Sequence, residues 1–80
     1  MTNVEIEYCV PCGNLPHALG IQEEILDTLG QEVDRVALKT GDSGVFKVRI
    51  DGEQVYDKRE DDEGFDVEEL IDDIRARASA

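Results

Sequence analysis

The two cysteines of the chain, Cys9 and Cys12, are separated by two residues in the segment YCVPCGNLPHALG. A pair at this spacing serves as a reversible redox pair, as part of a metal site or as two inert thiols. A disulfide between them would close almost no loop, so it would stabilise the fold very little. The secondary structure around the pair is therefore needed to choose between these chemistries.

The residues around the cysteines predict a strand that ends at them and a helix that begins after them. Val4, Ile6 and Tyr8 alternate with two glutamates, which is typical of a half-buried strand. Farther along, apolar residues recur every three or four positions, as on one face of a helix: Ala18, Ile21, Ile25 and Leu29. Pro16 lacks a backbone N–H and therefore belongs in the first helical turn, which places both cysteines before the helix.

The rest of the chain predicts three more strands and a second helix. The strands are expected at residues 33–39, 45–50 and 54–57. Asp51-Gly52 between the last two is a strong signal for a two-residue hairpin. Asp66 is expected to cap the second helix, with Glu69 as its reciprocal partner three residues later.

The predicted order β-α-β-β-β-α defines an α/β fold, with residues 1–80 as one domain. The crossover from the first strand to the second is expected to be right-handed, so these two strands are parallel neighbours. The hairpin joins the same sheet, which gives a four-stranded mixed sheet in the order 2-1-3-4. Because the strands alternate apolar and charged residues, both helices are expected on one face of this sheet.

Two further expectations follow from the strand order. On the uncovered face, Glu5 and Glu7 of the first strand lie between basic side chains of the neighbouring strands, which keeps that face soluble. At the end of the sheet that carries the cysteines, residues 40–44 connect the second and third strands. This loop is therefore predicted to border the thiols, with Ser43 and Gly44 in contact with substrate.

A strand, a Cys-x-x-Cys turn and a helix in immediate succession favour redox chemistry. Backbone N–H groups at a helix start favour the thiolate, which is the species that attacks a disulfide. A structural zinc site requires four ligands, whereas the candidates here are Cys9, Cys12 and His17. The alternative is a non-enzymatic binding module in which zinc or an iron–sulfur cluster is shared through the cysteines of a dimer. His17 could polarise a thiol, although an exposed histidine without a function is more common.

The composition is strongly acidic: 20 Asp and Glu oppose 8 Lys and Arg, for a formal net charge of −12. Self-repulsion of this size destabilises a compact chain, and molar salt screens it. The composition therefore predicts a halophilic, cytoplasmic protein. It argues against partners with anionic surfaces, namely nucleic acids and membranes. The N-terminal residues lack the basic start and apolar run of a signal peptide.

Three segments resemble the selenoprotein W-like thiol redox family, often called the Rdx family: VEIEYCVPCGNLPHAL, SGVFKVRIDGEQVYDK and GFDVEELIDDI. The specific features are Cys-x-x-Cys-Gly followed by a proline in the first helical turn, the Gly-x-Phe-x-Val strand and the short hairpin. The resemblance covers nearly the whole chain. It implies a thioredoxin-like fold and thiol–disulfide redox activity on protein thiols or glutathione.

The resemblance also bears on the roles of individual residues. Many relatives carry selenocysteine at the position of Cys12, which implies that Cys12 is the reactive thiol and Cys9 resolves. General thioredoxin chemistry reverses these roles, and the sequence leaves both orders open. Pro11, Gly13 and His17 are further candidates for substrate contact. Thioredoxins place a cis-proline before the third strand, but this chain has Ser43-Gly44 there. We expect a monomer that needs no cofactor.

Overall fold

The computed structural model describes residues 2–58 and 65–78 of the chain. The elements are β1 (Asn3–Cys9), α1 (Leu15–Leu29), a 3₁₀ turn (Gly30–Glu32), β2 (Arg35–Gly41), β3 (Phe46–Ile50), β4 (Glu53–Asp57) and α2 (Val67–Ala78). Their order is the predicted β-α-β-β-β-α. No helix in the described ranges combines the length and the apolar character needed to cross a membrane.

The four strands form one mixed sheet in the order β2-β1-β3-β4, as predicted. β1 is central, parallel to β2 and antiparallel to β3, and β3 pairs antiparallel with β4. In this register Cys9 lies opposite Gly41 of β2, and Tyr8 lies opposite Phe46 of β3. The end of β1 that carries Cys9 is therefore flanked by the end of β2 and the start of β3.

Both helices pack on one face of the sheet, as the alternation of apolar and charged residues predicts. β1, α1, β3 and α2 each contribute an isoleucine that is fully buried: Ile6, Ile25, Ile50 and Ile74. Around these lie the other apolar residues of the predicted strand and helix faces. Burial of a side chain of this size stabilises a fold by roughly 1.5–3 kcal/mol, so this shared core holds β1 and its cysteine end in place.

The other face of the sheet carries the predicted pairing of charges. Arg49 of β3 donates from Nη1 to Glu5 Oε1 at 2.8 Å and from Nη2 to Glu7 Oε1 at 3.1 Å. The hydrogen bond to Glu7 is the main cause of a raised pKa of Arg49, and the bond to Glu5 adds to it. Because these side chains are partly exposed, we assign each pair at most about 1 kcal/mol of stability.

Gly30, with a φ of +54°, follows α1 and donates its N–H to the Leu26 carbonyl oxygen. Two local signals in the sequence are confirmed in the structure. Asp51 and Gly52 both have positive φ, as a tight hairpin turn requires. Asp66 Oδ1 accepts a hydrogen bond from the Glu68 N–H at 2.9 Å at the start of α2.

The second strand is displaced along the chain from its predicted position at residues 33–39. It spans Arg35–Gly41, because the 3₁₀ turn after α1 delays the start of extended structure. Val33 is buried, and its apolar side chain produced the alternation that suggested an earlier start. The displacement carries β2 as far as Gly41, beside the last residue of β1.

Candidate functional site

A tight turn connects β1 to α1 and carries Cys12. The Gly13 N–H donates to the Val10 carbonyl oxygen at 3.1 Å, which closes a turn over residues 10–13. Pro11 occupies the second position of this turn, where its fixed φ is favoured. Gly13 has a φ of +75°, a conformation that glycine adopts without strain. Both residues therefore have a structural role in the turn, in addition to their predicted contact with substrate.

Cys9 and Cys12 form a disulfide, with their Cα atoms 5.3 Å apart. The two residues differ sharply in exposure. Cys9 is the last residue of β1 and is fully buried, at 0 % exposure. Cys12 lies in the turn and is exposed. A thiolate from solution therefore reaches this disulfide on the Cys12 side.

The loop between β2 and β3 borders Cys9, where it was predicted to lie. The Gly44 N–H donates a hydrogen bond to Cys9 Sγ at 3.3 Å. Gly44 has a φ of +75° and the preceding Ser43 a φ of +59°, so two consecutive residues take the left-handed conformation. This bend turns the Gly44 amide toward the sulfur. A hydrogen bond to the charged form of a group favours that form, so the same Gly44 N–H would favour a thiolate at Cys9 after reduction of the disulfide.

Gly41 is a part of the site that the sequence patterns did not single out. Its carbonyl oxygen accepts a hydrogen bond from the Val10 N–H at 3.0 Å, which ties the cysteine turn to β2. A Cβ atom at residue 41 would lie 2.6 Å from Cγ1 of buried Val45 and 3.1 Å from Glu7 Oε2. The only signal in the sequence was a glycine two residues beyond the predicted end of the second strand, since a glycine in a strand often marks a close approach of another group.

His17 lies in the first turn of α1 and packs against aromatic rings. Its ring stacks on Phe46 with centroids 5.1 Å apart, and its edge contact with Phe65 spans 6.3 Å. Phe46 and Phe65 also contact Tyr56, so the imidazole extends a small aromatic cluster. These contacts give His17 a packing role. The role of His17 in polarising a thiol stays a prediction.

The structure brings most of the predicted site residues to one end of the sheet. Cys9, the cysteine turn and Gly44 are adjacent, and Ser43 precedes Gly44 in the neighbouring loop. Across residues 2–58 and 65–78, no group of three or more His, Cys, Asp or Glu side chains is positioned to hold a metal ion. Contact of substrate with Pro11, Gly13, Ser43 or Gly44 stays a prediction.

Comparison with known proteins identifies the family. The sequence profile of the Rdx family matches residues 3–76. The chain belongs to the Rdx family. Among solved structures, this Rdx chain is similar to the selenoprotein W-related protein from Vibrio cholerae, at 26 % identity and a TM-score of 0.88, over 96 % of each chain. A protein from Bordetella parapertussis is 30 % identical, with a TM-score of 0.81, over 99 % of this chain and 98 % of that one. A search of curated proteins finds no match.

The Rdx chain differs from general thioredoxins in the segment that faces the cysteines. Its described residues contain no cis peptide bond. In place of a cis-proline, Ser43 and Gly44 take positive φ and direct an N–H group at Cys9 Sγ. This loop thus uses one backbone donor to contact the disulfide itself.

Reduction of the disulfide is expected to change amide chemical shifts mainly in residues 10–17 and 40–45. Breaking the disulfide alters Cys9 Sγ, which accepts the hydrogen bond from the Gly44 N–H. Within the loop, the chemical shift of the Gly44 amide should therefore change most. Two-dimensional NMR spectra of the oxidised and reduced protein test this expectation. Glu5, Lys47 and Arg49 on the uncovered face serve as internal controls. Large shifts at these residues, with an unchanged loop, would contradict the site geometry.

Gly41→Ala is expected to lower the free energy of unfolding by about 1–3 kcal/mol, because the new methyl group overlaps the buried Val45 side chain. Gly20→Ala is the matched control. Gly20 lies in α1 and is exposed, and a methyl group there would meet nothing within 4 Å beyond the helix backbone, so this change should stabilise by up to about 1 kcal/mol. Denaturant unfolding of both variants measures the difference. Equal changes in the free energy of unfolding of the two variants would show that residue 41 has room for a methyl group beside Val45.

Proposed function

We propose that this Rdx protein carries out reversible thiol–disulfide exchange with protein or glutathione thiols. The observation that carries the proposal is the asymmetric disulfide, with Cys9 buried under the Gly44 N–H and Cys12 exposed in the turn. Membership in a family named for redox activity supports the same chemistry. The position of the disulfide at a strand-to-helix turn supports it as well.

In the proposed mechanism, Cys12 is the sulfur that exchanges with substrate. The Cys12 thiolate of the reduced protein attacks one sulfur of a substrate disulfide. A bond forms between Cys12 and that sulfur, and the other substrate sulfur leaves as a thiolate that takes up a proton. Cys9 then attacks Cys12 Sγ and releases the second substrate thiol. The substrate disulfide has gained two electrons, and the Cys9–Cys12 disulfide has formed.

The reverse reaction uses the same geometry. A substrate thiolate attacks the exposed Cys12 Sγ of the oxidised protein, and Cys9 leaves as a buried thiolate. Burial alone would make this leaving group poor, because a charged sulfur in an apolar site is unfavourable. The hydrogen bond from the Gly44 N–H offsets part of that cost. Gly44 thus acts on the resolving sulfur, and not on the exposed one.

The start of α1 favours a thiolate at Cys12 in the reduced protein. Asn14 is the N-cap residue and its side chain makes no capping hydrogen bond. No acidic side chain occupies the first helical turn, so the helix N-terminus is not already neutralised. This electrostatic effect and the exposure of Cys12 together support Cys12 as the attacking thiol.

Alkylation before and after treatment with a thiol reductant, read by mass spectrometry, tests the proposed function. We expect protection of both cysteines in the oxidised protein and double labelling after reduction. The reduced protein should recover its protection when a disulfide substrate is added. Metal analysis of the same sample addresses the alternative of a shared metal in a dimer. Stoichiometric zinc or iron bound to permanently reduced cysteines would refute the exchange function.

We also propose that the protein works in a salt-rich cytoplasm. The support is compositional: a net charge of −12 on 80 residues, and no Lys or Arg before residue 35. The two ion pairs of Arg49 and the pairs of Arg77 with Glu53 and Asp73 offset only a few of the 20 carboxylates. The remaining repulsion requires counter-ions, which concentrated salt supplies.

A further inference from the structure

Exposed apolar side chains lie in the cysteine turn and along α1. In the described part of the chain, four large apolar side chains are exposed: Val10 (49 %), Leu15 (43 %), Leu19 (46 %) and Leu26 (43 %). Val10 lies between the two cysteines, and Leu15 follows Cys12 by three residues as the first residue of α1. We call these four residues the leucine stripe. It begins in the turn that carries Cys12 and continues along the helix.

The three leucines of the stripe share one side of α1. At 3.6 residues per turn, Leu15, Leu19 and Leu26 fall within an arc of about 40°, over a length of about 16 Å. The buried face of α1 lies on a different arc and consists of Ala18, Ile21, Ile25 and Leu29. Gln22, which lies between the stripe and the buried face of α1, donates from Nε2 to the Val36 carbonyl oxygen at 2.7 Å. The stripe therefore lies on the β2 side of α1, apart from the core.

The charged side chains of α1, which carries the leucines of the stripe, are all acidic. Glu23 and Asp27 are exposed on the arc of α1 next to the stripe. No lysine or arginine occurs before residue 35, so neither the cysteine turn nor α1 carries a fixed positive charge. Glutathione has a net negative charge at neutral pH, and neither α1 nor the cysteine turn offers a Lys or Arg side chain for its carboxylates. The surface instead complements a partner that is apolar where it meets the leucines and basic around that contact.

We propose that the leucine stripe docks a protein substrate whose redox-active cysteine is flanked by apolar and basic side chains. The inference rests on the proposed exchange function and selects protein disulfides over glutathione as its substrates. Val10 and Leu15 bracket Cys12 in the chain, so the stripe begins in the segment that carries the sulfur that reacts. A substrate held along the stripe presents its disulfide to Cys12, and the electrons move as in the exchange reaction described above.

The test compares three disulfide probes on the reduced protein. The first is a synthetic peptide with one intramolecular disulfide flanked by leucine and lysine, the second has glutamate in place of lysine, and the third is glutathione disulfide. Oxidation of the protein is followed by timed alkylation and mass spectrometry. Each rate is divided by the rate at which a small free thiol attacks the same probe, which removes differences in intrinsic reactivity.

At low salt, we expect the leucine–lysine peptide to react at least roughly tenfold faster than either of the other probes, because opposite charges accelerate association. The advantage over the glutamate peptide should shrink in molar KCl, where the charges are screened. The variant Leu19→Gln should lower the ratio of the peptide rate to the glutathione rate by roughly five- to tenfold, through loss of apolar contact. Thr28→Gln, on an exposed position outside the stripe, is the control and should leave the ratio unchanged.

Other results would overturn the inference. Equal ratios for Leu19→Gln and the wild-type protein would show that the stripe does not dock the substrate, as would a glutathione rate equal to that of the leucine–lysine peptide. Failure to react with any probe would refute the exchange function itself, and the docking proposal with it. Sedimentation velocity adds a further outcome. A dimer of the wild-type protein that Leu19→Gln dissociates would assign the stripe to a second copy of the chain.

Discussion

Replacing Cys12 with serine is expected to abolish the reaction of the reduced protein with an aromatic disulfide reagent that releases a coloured thiolate. The remaining thiol, Cys9, is fully buried at the end of β1 and is out of reach of the reagent. We expect the rate of thiolate release to fall by at least about 100-fold, because a thiolate reacts only where a disulfide can reach it. Stopped-flow absorbance measures this rate directly.

Cys9→Ser is the matched variant and should behave in the opposite way. Its exposed Cys12 still attacks the reagent, but no second thiol is present to resolve the product. The variant should release one thiolate per chain and retain the other half of the reagent on Cys12, whereas the wild-type protein releases two. Intact mass spectrometry identifies the retained adduct.

The pair of variants decides the order of attack that the sequence left open. If Cys12→Ser reacted at the wild-type rate and Cys9→Ser did not react, Cys9 would be the attacking thiol, as in general thioredoxin chemistry. Serine at residue 9 introduces a buried hydroxyl, which the Gly44 N–H can still contact. Circular dichroism and denaturant midpoints of both variants separate loss of reactivity from loss of fold.

Raising KCl from 0.1 M to 2 M is expected to increase the free energy of unfolding by at least about 2 kcal/mol. Two like charges about 10 Å apart in water repel by roughly 0.4 kcal/mol, and a net charge of −12 on 80 residues creates many such pairs. The Debye length falls from about 10 Å at 0.1 M to about 3 Å at 1 M, which removes most of this repulsion. Urea unfolding at several KCl concentrations, monitored by circular dichroism, measures the effect.

A charge variant and a second salt separate screening from other effects of salt. Glu23→Gln combined with Asp27→Asn removes two exposed negative charges from α1 and lowers the net charge from −12 to −10. This variant should be more stable than the wild-type protein at low salt and should respond less to KCl. Sulfate screens charge and also strengthens apolar burial, so at equal ionic strength it should raise the free energy of unfolding more than chloride does. A flat response to KCl would refute adaptation to high salt.

Local patterns in the sequence determined most of the secondary structure. Alternation in β1, the three-to-four spacing in α1, and the Asp51-Gly52 and Asp66 signals each depend on residues close together in the chain. The structure confirms all four. The strand order also followed, because a right-handed crossover and a short hairpin leave few alternatives for four strands. The family could be identified from the sequence because the cysteine turn, the β3 strand and the hairpin are short contiguous motifs.

The details of the site were decided by the tertiary structure. The sequence predicted that the loop of residues 40–44 borders the thiols, but the donor to Cys9 was fixed by the bend at Ser43 and Gly44. The unequal exposure of Cys9 and Cys12 depends on how other segments, including the loop that carries Gly44, enclose the end of β1, and identical side chains three residues apart carry no sign of it. The packing of His17 on Phe46 and the tight approach of Gly41 to Val45 likewise join residues from different elements. Such contacts are set by strand register and side-chain packing, which involve residues far apart in the chain, so periodicity and turn chemistry do not reveal them.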